Sequence, residues 1–187
     1  AGKDVYEVAY DALLQRDGNA TLYLPINNFP GSLDPVSEAF NSKHTVIALG
    51  DGGAHLGMIC DANYPTFVLT YWTRDRHKNN GARLTMPDAI HRLSRRNALA
   101  VGLNDRGLIA PGLKADLNIV DYDKLRLGAP EVVFDLPAGG RRVDQKATGF
   151  AATIVNGEVT YRNGVATDAL PGRMIRANQV AEQIAAE

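Results

Sequence analysis

Chemistry in this chain is concentrated in one short stretch, TVIALGDGGAHLGMICD, Thr45 to Asp61. An apolar run from His44 to Gly50 leads directly into Asp51-Gly52-Gly53-Ala54-His55. A carboxylate at the end of a buried strand can ligate a metal. It can also carry a proton from a metal-bound water to a leaving group. Two glycines let the backbone bend sharply and leave room for a ligand close to the main chain. His55 follows four residues after Asp51 on the same loop. The same letters also read as an ordinary turn closed by an Asx hydrogen bond. A lone Asp and a lone His do not complete a zinc site, which takes three or four protein ligands.

The remaining candidates are weaker. His44 sits at the far end of the apolar run, about 20 Å from Asp51 if seven residues are extended. His77 and His91 fall on helical segments with polar neighbours and read as surface or packing residues. Cys60 has no base placed beside it and reads as a small buried side chain. Tyr71 and Trp72 read as packing aromatics.

The elements that must position this stretch follow from periodicity. Asp4 to Gln15 repeats apolar residues at helical spacing, with Asp4 as N-cap. Thr21 to Ile26 is β-rich, and Ser32 or Asp34 can cap a helix reaching Phe40. His44 to Gly50 has the pattern of a strand buried on both faces of a parallel sheet. Tyr64 to His77 reads as a helix. Thr85 caps another that runs to about Val101, with Pro87 in its first turn, Asp88 in capping-box position and Gly102 at its C-terminal end. This alternation is that of an α/β sheet.

Beyond Gly102–Leu108 the helical period disappears until the tail. ADLNIVD alternates like a strand, and ATIVNGEVTYRNGVAT is a hairpin joined at Asn156-Gly157, with a second turn at Asn163-Gly164. Met174 to Ala186 reads as a terminal helix. The expected division is 1–106, α/β, and 107–187, mostly β.

Composition agrees with a globular chain: 187 residues, 45% hydrophobic and 22% charged. The net charge of -1 gives no electrostatic case for nucleic acid or an anionic membrane. The clusters Arg74-Asp75-Arg76-His77-Lys78 and Arg92, Arg95, Arg96 read as solvated helix faces. A single cysteine permits no intramolecular disulfide and fits a reducing compartment, so a cytoplasmic location is expected. No apolar run approaches the ~20 residues that span a bilayer. The start, Ala1-Gly2-Lys3-Asp4, has no initiator Met and enters a helical pattern at once, which reads as a trimmed chain.

Three blocks in order resemble the amidohydrolase superfamily, in particular its D-aminoacylase or N-acyl-D-amino-acid deacylase group. They are ALGDGGAHLGMICDANYPTFVLTYWTRDR, AIHRLSRRNALAVGLNDRGLIAPGLKADLNIVD (Ala89 to Asp121) and ATIVNGEVTYRNGVATDALPGRMIR. The resemblance implies a distorted (β/α)₈ barrel with a small β-sandwich. This chain is similar to the C-terminal part: final barrel segments over 1–106, then the C-terminal share of the sandwich with its closing hairpin and terminal helix over 107–187.

By resemblance, Asp51 is the aspartate at the end of the eighth strand. There it contacts the metal or its water, takes that water's proton and returns it to the departing amine. His55, Gly52 and Gly53 are the implied substrate contacts. The family usually has Ser before this Asp, where Gly50 stands here. The implied activity is metal-dependent hydrolysis of a non-peptide amide C–N bond, with zinc in the complete enzyme. The family's H-x-H pair is absent from the 187 residues. The expectation is therefore that this chain alone neither retains zinc nor catalyses. It would self-associate or join a partner N-terminal barrel segment, since barrel strands without neighbours leave open edges. The alternative is a non-catalytic structural or interaction subunit that completes a barrel with another chain.

Overall fold

The computed structural model describes residues 2–22, 32–49, 55–76 and 83–176. Within these, helices occupy the first hundred residues and strands begin at Leu117. Helix α1 (Val5–Leu13) starts as its sequence requires, with Asp4 accepting a hydrogen bond from the Tyr6 N–H at 2.8 Å. It buries none of its residues, and Tyr6 is 81% exposed. A short turn, α2 (Gln15–Gly18), follows, with Arg16 and Asp17 at positive φ. Helix α3 (Asp34–Asn41) begins where Ser32 Oγ accepts from the Asp34 N–H at 3.0 Å.

The central helix starts as α4 (Tyr64–Phe67) and widens into a π-helical segment, Val68–Asp75. Val68, Leu69, Thr70 and Trp72 are buried there. The Arg76 N–H donates to the Tyr71 carbonyl at 2.8 Å, a five-residue step in place of four. Trp72 meets Phe40 edge-on at 4.9 Å and Tyr71 at 5.3 Å. Helix α5 (Met86–Leu93) is capped by Thr85, whose side chain accepts from the Asp88 N–H at 3.3 Å. The expected single helix to Val101 breaks at Ser94 (φ −122°, ψ −87°) and resumes as α6 (Arg95–Ala100). Gly102 and Leu103 close it with bonds to the Leu99 and Ala98 carbonyls, a Schellman ending.

All strand pairing among the described residues is antiparallel. A four-stranded sheet has the order β1 (Leu117–Val120), β6 (Phe150–Val155), β7 (Glu158–Arg162), β8 (Val165–Ala166). Both of its tight turns are written in the sequence. Asn156-Gly157 has φ of 51° and 84°, and Asn163-Gly164 has 50° and 78°. These are the two consecutive positive values of a type I′ turn. Two further pairs are β2 (Arg126–Leu127) with β5 (Ala147–Thr148), and the hairpin β3 (Glu131–Leu136) with β4 (Gly140–Asp144).

One buried cluster joins helices to strands. Ile47, Val68, Leu69, Trp72 and Ala89 pack with Leu125, which is fully buried between β1 and β2. Mixed helix and strand content is thus observed. Two expectations change. Thr45–Leu49 carries no strand pairing, and only Ile47 is buried, at 8% exposure, while Val46 is 48% exposed. The reason lies in its partners: no strand among the described residues lies alongside, and the Asn97 side chain meets the Ile47 carbonyl instead. Residues 174–176 lie outside any helix, and the rest of the expected terminal helix, like most of the expected strand at 21–26, falls outside the described residues.

Candidate active site

Asp51, Gly52 and Gly53, the expected catalytic, metal-ligating and substrate-side residues, lie outside the described residues. The segments on either side of them are described, and so are the groups that hold those segments.

The incoming segment is fixed by one helix pair. Arg92 Nη1 donates to the Phe40 carbonyl, Arg96 Nη2 to Ser42 O at 2.7 Å, and Asn97 Nδ2 to Ile47 O at 2.6 Å. Arg92 comes from the end of α5, and Arg96 and Asn97 from α6 beyond the break at Ser94. Their donors satisfy the carbonyls at the end of α3 and along the run that leads to Asp51. Arg95 turns the other way and bonds Asn104 O and Arg106 O. Arg74 bonds Tyr122 O at 2.6 Å and Leu125 O at 2.9 Å, while Arg76, 1% exposed, pairs with Asp34 and stands 4.4 Å over the Trp72 ring. The reading of these arginines as solvated faces is therefore corrected. A guanidinium carries five donors in a fixed fork, and here those donors meet backbone carbonyls and carboxylates, with aromatic rings beside Arg74 and Arg76.

The outgoing segment starts at His55, which is exposed and has φ of 51°. Its carbonyl accepts from the Met58 N–H at 2.8 Å and the Ile59 N–H at 2.9 Å, closing a tight turn. Leu56 O accepts from the Val143 N–H of β4 at 2.8 Å. Beyond the turn, Cys60 Sγ lies 3.9 Å from Gln145 Oε1, which also accepts from Asn63 Nδ2. Burial, then the charges of Asp61 and Asp144, push the Cys60 thiol above its ordinary pKa. A raised pKa leaves less of the thiolate, which is the nucleophilic form. Asn97, Val143 and Gln145 are parts of this arrangement that periodicity does not reveal, since each acts across a long sequence separation.

Of the other histidines, His44 and His91 are exposed and His77 lies outside the described residues. Among the described residues, no three His, Cys, Asp or Glu side chains gather into a group that could hold a metal. The described residues alone therefore do not make a metal centre. A cavity of about 280 Å³ lies elsewhere, between Asp121, Lys124, Thr148 and the Asn163-Gly164 turn, and no expected site residue lines it. No described helix is long and apolar enough to cross a membrane.

Comparison with known proteins brings one finding. The model of the amidohydrolase family, a hydrolase family whose members are generally metal-dependent, matches residues 10–161. No curated protein and no solved structure matches the chain. The matched span takes in Thr45–Leu49, the Asp51–His55 motif of the sequence, the α5–α6 pair and the strands as far as Tyr161 in β7, and on that extent the chain belongs to the amidohydrolase family.

Proposed function

We propose that this chain is the C-terminal portion of a D-aminoacylase-like amidohydrolase that cleaves the amide C–N bond of an N-acyl amino acid. One observation carries the reading: Asp51-Gly52-Gly53-Ala54-His55 closes an apolar run inside the matched span. Asp51 is the proton carrier. As water oxygen bonds to the amide carbon, its proton passes to the Asp51 carboxylate. As the C–N bond breaks, that proton goes to the amine nitrogen, and a carboxylic acid and an amine leave. Gly52 and Gly53 give the substrate room against the backbone, and His55 contacts it. Zinc is the proposed metal, with Asp51 among its ligands, and it supplies carbonyl polarisation and an acidified water when bound.

The 187 residues contain no H-x-H. In this reading the remaining ligands come from a partner barrel segment, and the isolated chain self-associates without turning over substrate. The same observation favours a second reading, a non-catalytic subunit that completes a barrel. One assay separates them. The chain is tested alone and together with a chain bearing the histidine pair, for zinc by mass spectrometry and for release of amino acid from N-acetyl-D-amino acids. Asp51→Asn is expected to lower the combined turnover roughly 10³-fold, the scale of a lost general acid–base group, with circular dichroism unchanged. Unaltered turnover in Asp51→Asn removes the proton-carrier role and leaves the non-catalytic reading.

A further inference from the structure

We propose that Gln145 is a positioning residue for the loop that carries His55, fixing from the β3–β4 hairpin where that loop stands. This rests on the reading of His55 as a substrate contact. The loop needs such a fixture: residues 55–59 are all exposed, and packing alone does not hold them. Two attachments come from one end of one strand. Val143 gives its backbone N–H to Leu56 O at 2.8 Å, and two residues later Gln145 presents its side chain.

The Gln145 amide is used at both ends. Oε1 accepts from Asn63 Nδ2 and faces Cys60 Sγ at 3.9 Å, while Nε2 donates to the Gly128 carbonyl at 2.8 Å. An acceptor is required on the loop side and a donor on the strand side, so only one amide orientation satisfies both. Gly128 is itself tied back, its N–H donating to Lys146 O at 2.8 Å. The loop is thus referenced to the β2–β5 pair through a single side chain 82 residues further along.

The experiment is hydrogen exchange on the intact chain, comparing wild type, Gln145→Met and Asn63→Ala. Methionine keeps the length and removes both hydrogen bonds. Exchange over 55–63 is expected to rise about tenfold in each variant, the scale of the Asn63–Gln145 hydrogen bond that both lose, while exchange over β6–β7 stays at wild-type rates. The proposal is overturned if exchange over 55–63 stays within about twofold of wild type in the folded variants, or if β6–β7 loosens equally. Asn63→Ala decides the matter should Gln145→Met fail to fold. In the assembly that hydrolyses N-acetyl amino acids, Gln145→Met is expected to raise KM roughly fivefold with kcat held. A loosened loop with KM unmoved leaves the clamp standing and overturns the role of His55 instead.

Discussion

Asp105 is 3% exposed, and Arg106 grips both of its carboxylate oxygens, at 2.9 and 3.0 Å. The same guanidinium reaches Asp116 at 3.0 Å, and Asp116 in turn accepts the Asn156 N–H at 2.8 Å. The Arg106 hydrogen bonds, opposed by burial, hold Asp105 below the ordinary carboxylate range. A lowered folded pKa means the contribution is whole above the unfolded value, about 3.9, and is lost as pH falls below it towards the folded one. Asp105→Asn should therefore cost about 3 kcal/mol at neutral pH, the scale of a broken buried pair. Its melting temperature should also fall less steeply than wild type below pH ~4, in melts run across that range. At this scale the candidate site was half legible. Asp51 and His55 stand out because a charged group closing an apolar run is unusual. Gln145 does not, because a polar residue after a strand is ordinary until its partners, Cys60 and Asn63, are known. The arginines differ from their expected solvated faces for the same reason: a sequence displays their charge but not the carbonyls of Phe40, Ser42 and Leu125 that they reach.

Elements whose rules are local were readable in advance. The Asp4 and Thr85 caps, the ending at Gly102 and both Asn-Gly turns depend on neighbours within a few residues, and each forms as its letters indicate. Thr45–Leu49 departs from the expected strand because burial on both faces is a property of what lies alongside, which an apolar run does not encode. The π-helical winding of Val68–Asp75 has no letter code either. Gly149 shows how close approach fixes a residue. Its φ is 95°, and an added Cβ would stand 2.6 Å from the Leu125 Cα and N. Its carbonyl meanwhile accepts the Asp121 N–H at 2.8 Å. Gly149→Ala is expected to cost roughly 3 kcal/mol, by strain and by backbone collision that no rotamer relieves. Gly157→Ala, with φ of 84° but open space around it, should cost only about 1 kcal/mol. Paired urea denaturation curves check the difference.

Across the whole molecule, helices and strands share one core through Trp72 and Leu125, yet a large apolar surface stays outside it. Val5 is 71% exposed and Tyr10 64% on α1, and Ile109 reaches 85%. Isolated exposed apolar residues are ordinary, but a helix that buries none of its residues is not. The proposed self-association takes its support from this surface. Sedimentation equilibrium should give a mass above the 20.2 kDa of one chain, and a mass equal to one chain at micromolar concentration removes the proposal. The links behind the incoming segment have a consequence of another kind. Arg96 and Asn97 end on carbonyl oxygens and Arg92 on a carbonyl and on Asp88, whereas Arg142 on β4 is tied to the exposed Asp135 and to Asp144, and Lys146 to Glu131. Dissolved ions screen exposed charges over a length that shrinks from about 10 Å at ~0.1 M salt to about 3 Å at ~1 M, and screen partly buried groups much less. In concentrated brine the rim of the β3–β4 hairpin loses its electrostatic ties first, while the approach to Asp51 keeps its moorings.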